Sequence, residues 1–135
     1  MKRISLFVAA LLLIASFSSL TFANTPPSPA TQHVFQNNLQ RALTSSNDGV
    51  RNSAILVAVQ SMTQFPDMNI RSCKKVIERM SREDARSVNR LHAQLAMICF
   101  ARPELTQIVN PLEYDDSVEF FNHISAVISN RPFTN

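Results

Sequence analysis

VRNSAILVAVQ, residues 50–60, contains six consecutive apolar residues from Ala54 to Val59. A run this short fits a buried strand or a buried helix, and periodicity alone does not separate them. Its flanks decide. Asn47-Asp48-Gly49 places capping residues just before it, and no breaker follows until Pro66. The stretch therefore predicts a helix over 50–64 of about four turns, apolar all round in its middle, with no solvent face there. Such a helix must be covered on several sides, so the rest of the chain must supply other helices.

Working outward, the same three-and-four spacing recurs. A helix over 31–45 places Val34, Phe35, Leu39, Ala42 and Leu43 on one face. Phe65-Pro66-Asp67 ends the central helix, because proline disfavours helix at the residue before it. A helix over 69–80 carries Ile70, Cys73, Val76, Ile77 and Met80 as an apolar stripe. Ser81-Arg82-Glu83-Asp84 reads as a loose capping box opening a helix over 84–101, with Val88, Leu91, Leu95, Ile98 and Cys99 inward. A short helix over 104–109 follows Pro103. The last, over 115–129, turns Val118, Phe121, Ile124, Val127 and Ile128 inward, with Phe120 at the margin. One glycine in 135 residues, Gly49, argues against tight hairpins. The fold class expected is all-α.

The N-terminal end has a different character. Met1-Lys2-Arg3 is basic, Ile4 to Leu20 is apolar, and Thr21-Phe22-Ala23 is a small-x-small pattern. This is the layout of a secretory signal peptide over 1–23; a retained membrane anchor is the alternative. Residues 24–30 form a Pro-rich segment expected to be extended, and the helical domain spans 31–131. The whole chain has 13 basic and 10 acidic side chains. Loss of Lys2 and Arg3 leaves 11 and 10, a net of +1. That balance does not support a nucleic-acid or anionic-membrane footprint. The expected location is periplasmic or secreted. Cys73 and Cys99 would then meet oxidising conditions and could pair as a disulfide, or serve as two small buried hydrophobes.

Three inter-helix turns share a register: Asn47-Asp48-Gly49-Val50-Arg51, Arg82-Glu83-Asp84-Ala85-Arg86 and Asp115-Asp116-Ser117-Val118-Glu119. Their small apolar members, at 50, 85 and 118, are 35 and 33 residues apart, in the range of helix-pair repeats. The acidic residue suits a helix N-terminus. Arg51 and Arg86 are placed to reach the acidic turn of a neighbouring unit. Leu39-x-x-Ala42-Leu43 followed by Asn47-Asp48-Gly49-Val50-Arg51-Asn52-Ser53-Ala54 resembles a HEAT repeat, whose second helix opens Asp-x-Val-Arg-x-x-Ala. The second unit keeps Ala85-Arg86 but has Asn89 in place of alanine, and the third has Glu119 in place of arginine. The chain is also similar to small exported bacterial proteins with HEAT-like helices. Over about residues 33–130 the resemblance implies a short right-handed α-solenoid of two helical hairpins plus a shorter terminal pair. It implies no chemistry.

Motifs for chemistry are sparse. His33, His92 and His123 lack metal-ligand spacing, so no metal or cofactor is expected. His92 reads as a partly buried structural residue. A P-loop or GxSxG motif is excluded by the glycine count. Glu113, Asp115 and Asp116 form an acidic group that capping explains more simply. Arg71, Lys74, Lys75, Arg79 and Arg82 form a basic helix face suited to an acidic partner or lipid head groups. The expected function is non-enzymatic: a scaffold that binds another envelope protein, with a weak homodimer as a further association, since three units are near the minimum for a stable stack. The alternative is a small hydrolase or lyase drawing its carboxylates from Glu78, Asp84, Asp115 or Asp116.

Overall fold

The computed structural model describes residues 26–130. The signal-peptide expectation for 1–23 lies outside them. Among the described residues the chain is all-α, with helices α1 (Pro29–Leu43), α2 (Asp48–Gln64), α3 (Arg71–Glu83), α4 (Ser87–Ala101), α5 (Glu104–Ile108) and α6 (Ser117–Asn130), and one 3-10 turn, Pro111–Glu113. No helix among them is long and apolar enough to cross a membrane.

Capping moves several boundaries. α1 starts at Pro29, inside the expected extended segment, because Ser28 accepts the Thr31 N–H at 3.3 Å and proline suits the first helical turn. α2 opens at Asp48, with Asn47 Oδ1 accepting the Val50 N–H at 3.1 Å. Gly49 is thus helical, not part of a free turn. The expected capping box at Ser81 is absent: α3 runs on to Glu83, helped by the Glu78–Arg82 pair one turn apart. α4 begins only at Ser87. Asp116 Oδ1 caps α6 by accepting the Val118 and Glu119 N–H groups.

α1 and α2 pack as one hairpin and α3 and α4 as a second. The hairpins stack with α1 on α3 and α2 on α4. Ala58, Ala93 and Ala96 are fully buried, and such small side chains let helix axes approach closely. Ile55, Ile77, Phe120, Phe121 and Ile124 fill the core, each contributing roughly 2 kcal/mol through burial. The C-terminal elements pack differently from the two hairpins. α6 touches both α2 and α4, and the 3-10 turn lies on α2. Gln60 fixes it there, donating to the Pro111 carbonyl at 3.0 Å and the Tyr114 carbonyl at 2.9 Å.

The central helix is less enclosed than its composition predicts. Ala54, Ile55, Leu56, Ala58 and Val59 are buried, but Val57 is 37% exposed. Val34, Val88, Leu91 and Val118, all expected inside, are also exposed. Polar side chains take the inner places instead: Asn52 on α2, Asn89 and His92 on α4, and Ser117 on α6 are buried. Phe120, expected at the margin, is fully buried.

Candidate interaction surfaces

The turns that share a register in sequence meet in space. Arg51 donates through Nε to Asp84 Oδ2 at 2.8 Å and through Nη2 to Asp84 Oδ1 at 3.0 Å. It also reaches Asp48 Oδ1 at 2.7 Å and the Ser45 carbonyl at 2.8 Å. Arg86 returns the contact at the surface, with Nε 3.4 Å from Asp48 Oδ2. Arg51 holds the Asp84 carboxyl below the usual carboxylate range, and Asp84 in turn raises the guanidinium. The turn before α6 has Glu119 at the corresponding place in sequence, in place of an arginine.

Ser117 makes the third connection. Its hydroxyl donates to Asn52 Oδ1, which also faces His92 Nδ1 at 3.0 Å. The Asn52 amide donates to Asn89 Oδ1 at 2.8 Å, and the Asn89 amide to the Asp48 carbonyl at 3.3 Å. With Asn52 Oδ1 accepting, the His92 proton sits on Nδ1. The ring stacks on Phe121 with centroids 4.7 Å apart. Burial pushes the His92 pKa down, against a smaller upward pull from Asp116. This cluster was not identified from sequence. Its signal was two asparagines inside otherwise buried helices. The Asn89 side chain is thus satisfied by Asn52 and the Asp48 carbonyl.

The basic residues of α3 differ in exposure and pairing. Arg71, Lys75, Arg79 and Arg82 are exposed. Lys74 leans away, its Nζ 5.0 Å from the centre of the Phe100 ring on α4. Arg82 is paired to Glu78 at 3.1 Å. Arg71, Lys75 and Arg79 form no ion pair within 4.0 Å among the described residues.

A second surface lies on the side of the first hairpin. Phe35, Leu39 and Ala42 of α1 and Val50, Ala54 and Val57 of α2 line a shallow groove of about 570 Å³. Its polar members are Asn38, Asn47 and Ser53, and none of its lining residues is charged.

The other candidates fall elsewhere. Cys73 and Cys99 are buried free thiols, with no disulfide between them. Cys73 Sγ faces the Gln36 carbonyl on α1 at 3.7 Å. Cys99 sits beside Val59, Met62, Phe100 and Pro103. Burial pushes the Cys73 thiol up and Cys99 to about 12, the opposite of the shift a reactive thiolate needs. Of the carboxylates, Asp84 is bound to Arg51, Glu78 to Arg82, and Asp116 caps α6. Asp115 is exposed. Among the described residues no group of three metal-ligating side chains converges. Compared with protein families, curated proteins and solved structures, the chain matches none.

Proposed function

We propose that this chain is an exported, non-enzymatic helical-repeat protein, built as a short HEAT-like right-handed solenoid, that binds an acidic surface of another envelope protein. One observation carries the reading. Arg71, Lys75 and Arg79 project from one face of α3 with no carboxylate partner among the described residues. A row of solvated cations on a rigid helix attracts and orients an acidic partner. The stacked hairpins hold that helix fixed, which lowers the ordering cost of binding. The signal-peptide layout of 1–23 supports the envelope as the setting.

The test is cross-linked capture from the envelope fraction with a C-terminally tagged chain, beside a variant carrying Arg71→Glu, Lys75→Glu and Arg79→Glu. All three positions are exposed, so circular dichroism should show an unchanged fold. One dominant partner, held by the natural chain and lost from the variant and at high salt, is the expected result. Equal capture by both chains, or no partner above background, would overturn the reading.

A further inference from the structure

The groove on the first hairpin supports a second assignment, independent of the basic face. In a helical stack each hairpin buries one face on each neighbour, and the terminal hairpin needs a polar outer face to stay soluble. Here that requirement is not met. Val34 is 58% exposed and Val50 43%, and Phe35 and Val57 stand between α1 and α2 in an open groove. The basic stripe on α3 is not part of this surface.

We propose that the groove is the interface of a twofold homodimer, with the first hairpin of a second copy as its occupant. The argument is electrostatic. In an isologous interface, residues near the axis meet their own copies. Any charge there would face a like charge, at a cost that a binding surface avoids. The groove has no charged lining residue, although 17% of the chain is charged. Its polar residues are Asn38, Asn47 and Ser53. Amides and hydroxyls both donate and accept, so these three can pair with whichever of them the second copy presents across the axis. A neutral, self-compatible surface is what a second copy requires; a charged partner would find no complement there.

Geometry adds a limit. α1 has 15 residues, so the hairpin face is about 22 Å long and roughly 20 Å across two helices. That footprint is small beside the ~800 Å² per partner of a standard interface, and the dimer is accordingly weak and concentration-dependent. With two protomers joined at their first hairpins, two α3 basic faces occur in one particle. An acidic partner with repeated sites would then be held by avidity.

Ser53 tests the arrangement, because it is exposed and lies midway along the α2 side of the groove, between Val50 and Val57. Sedimentation equilibrium of the mature chain, isolated from cells, should show mass rising from monomer toward dimer with concentration. Ser53→Arg and Ser53→Asp should each sediment as monomer at every concentration, from like-charge repulsion across the axis. An equimolar mixture of the two should recover dimer, now with opposite charges facing. A natural chain that stays monomeric, one that grows beyond dimer, or a Ser53→Arg chain that still dimerises overturns the proposal. So does a mixture that stays monomeric. Circular dichroism of each variant separates loss of association from loss of fold, and Val57→Glu provides a second disruption at the groove's edge. Neither result depends on whether α3 captures a partner.

Discussion

Arg51 on α2 and Asp84, in the turn between α3 and α4, are 33 residues apart in sequence and joined by two parallel hydrogen bonds of 2.8 and 3.0 Å. The Asp84 side chain is only 3% exposed and that of Arg51 13%. A pair this enclosed adds register between the hairpins, because planar guanidinium and carboxylate groups fit in one arrangement. Removing one partner leaves the other's charge buried without its counter-charge.

Arg51→Ala is therefore expected to destabilise the protein by about 2–3 kcal/mol, read from chemical unfolding. Arg51→Lys should recover only part of this, since an ammonium cannot make the two-pronged contact. A double-mutant cycle with Asp84→Asn should show strong coupling. Additive losses would mean that the two residues do not act as a pair. Asp84 also sets an acid limit. Its folded pKa is lowered, so its contribution is present above the unfolded value near 4 and is lost as pH falls through the folded value.

Asn52 on α2 hydrogen-bonds both to α4, through Asn89 and His92, and to α6, through Ser117. Asn52→Ala should cost about 2–4 kcal/mol, because it leaves several buried groups without partners at once. Ser117→Ala removes a single bond and should cost about 1 kcal/mol. If hydrogen exchange in Asn52→Ala shows α6 opening ahead of α2 and α4, the cluster is what holds α6 down. Uniform opening would deny it that role.

Much of this fold was legible in the sequence, and for identifiable reasons. Ala54–Val59 demanded a covered helix, and the stacked turns at 47–51 and 82–86 placed Arg51 and Arg86 near their acidic neighbours, as the structure has them. The inward and outward sides of the helix N-termini were not legible. Hydropathy sorts Val50, Val88 and Val118 inward and Asn52, Asn89 and Ser117 outward, and the structure does the reverse. Polar groups become cheap to bury only when they satisfy one another, and those partners lie 37 and 65 residues away. The α1/α2 groove was hidden for a related reason. An apolar stripe shows that a face is covered in principle, but not that a terminal hairpin lacks a neighbour on one side.

His92 predicts a second pH dependence. Its folded pKa lies below the unfolded value near 6.5, so the unfolded chain takes up the proton first. The sign follows: stability is complete above pH 6.5 and falls as the solution is acidified below it, by at most about 1.4 kcal/mol per pH unit. Thermal melts between pH 5 and 7.5 should show this slope in the natural protein and a flatter profile in His92→Gln. An identical slope in both would assign the effect to another group.

The cysteines give the last prediction. Both thiols are buried and unpaired, and burial raises both pKa values, Cys99 to about 12. A thiol reagent acts on the thiolate and needs access. The native protein should therefore react very slowly, whereas in denaturant two thiols per chain should react at once. A disulfide would give no thiols in either condition, and intact mass before and after reduction would register two hydrogens. The distinction also bears on stability. Cys99→Ser should cost about 1–3 kcal/mol, because it places a polar hydroxyl against Val59, Met62 and Phe100, and Cys73→Ser should cost less, since the Gln36 carbonyl can accept its hydroxyl. Equal losses in the two variants would point to a shared bond in place of two separate burials.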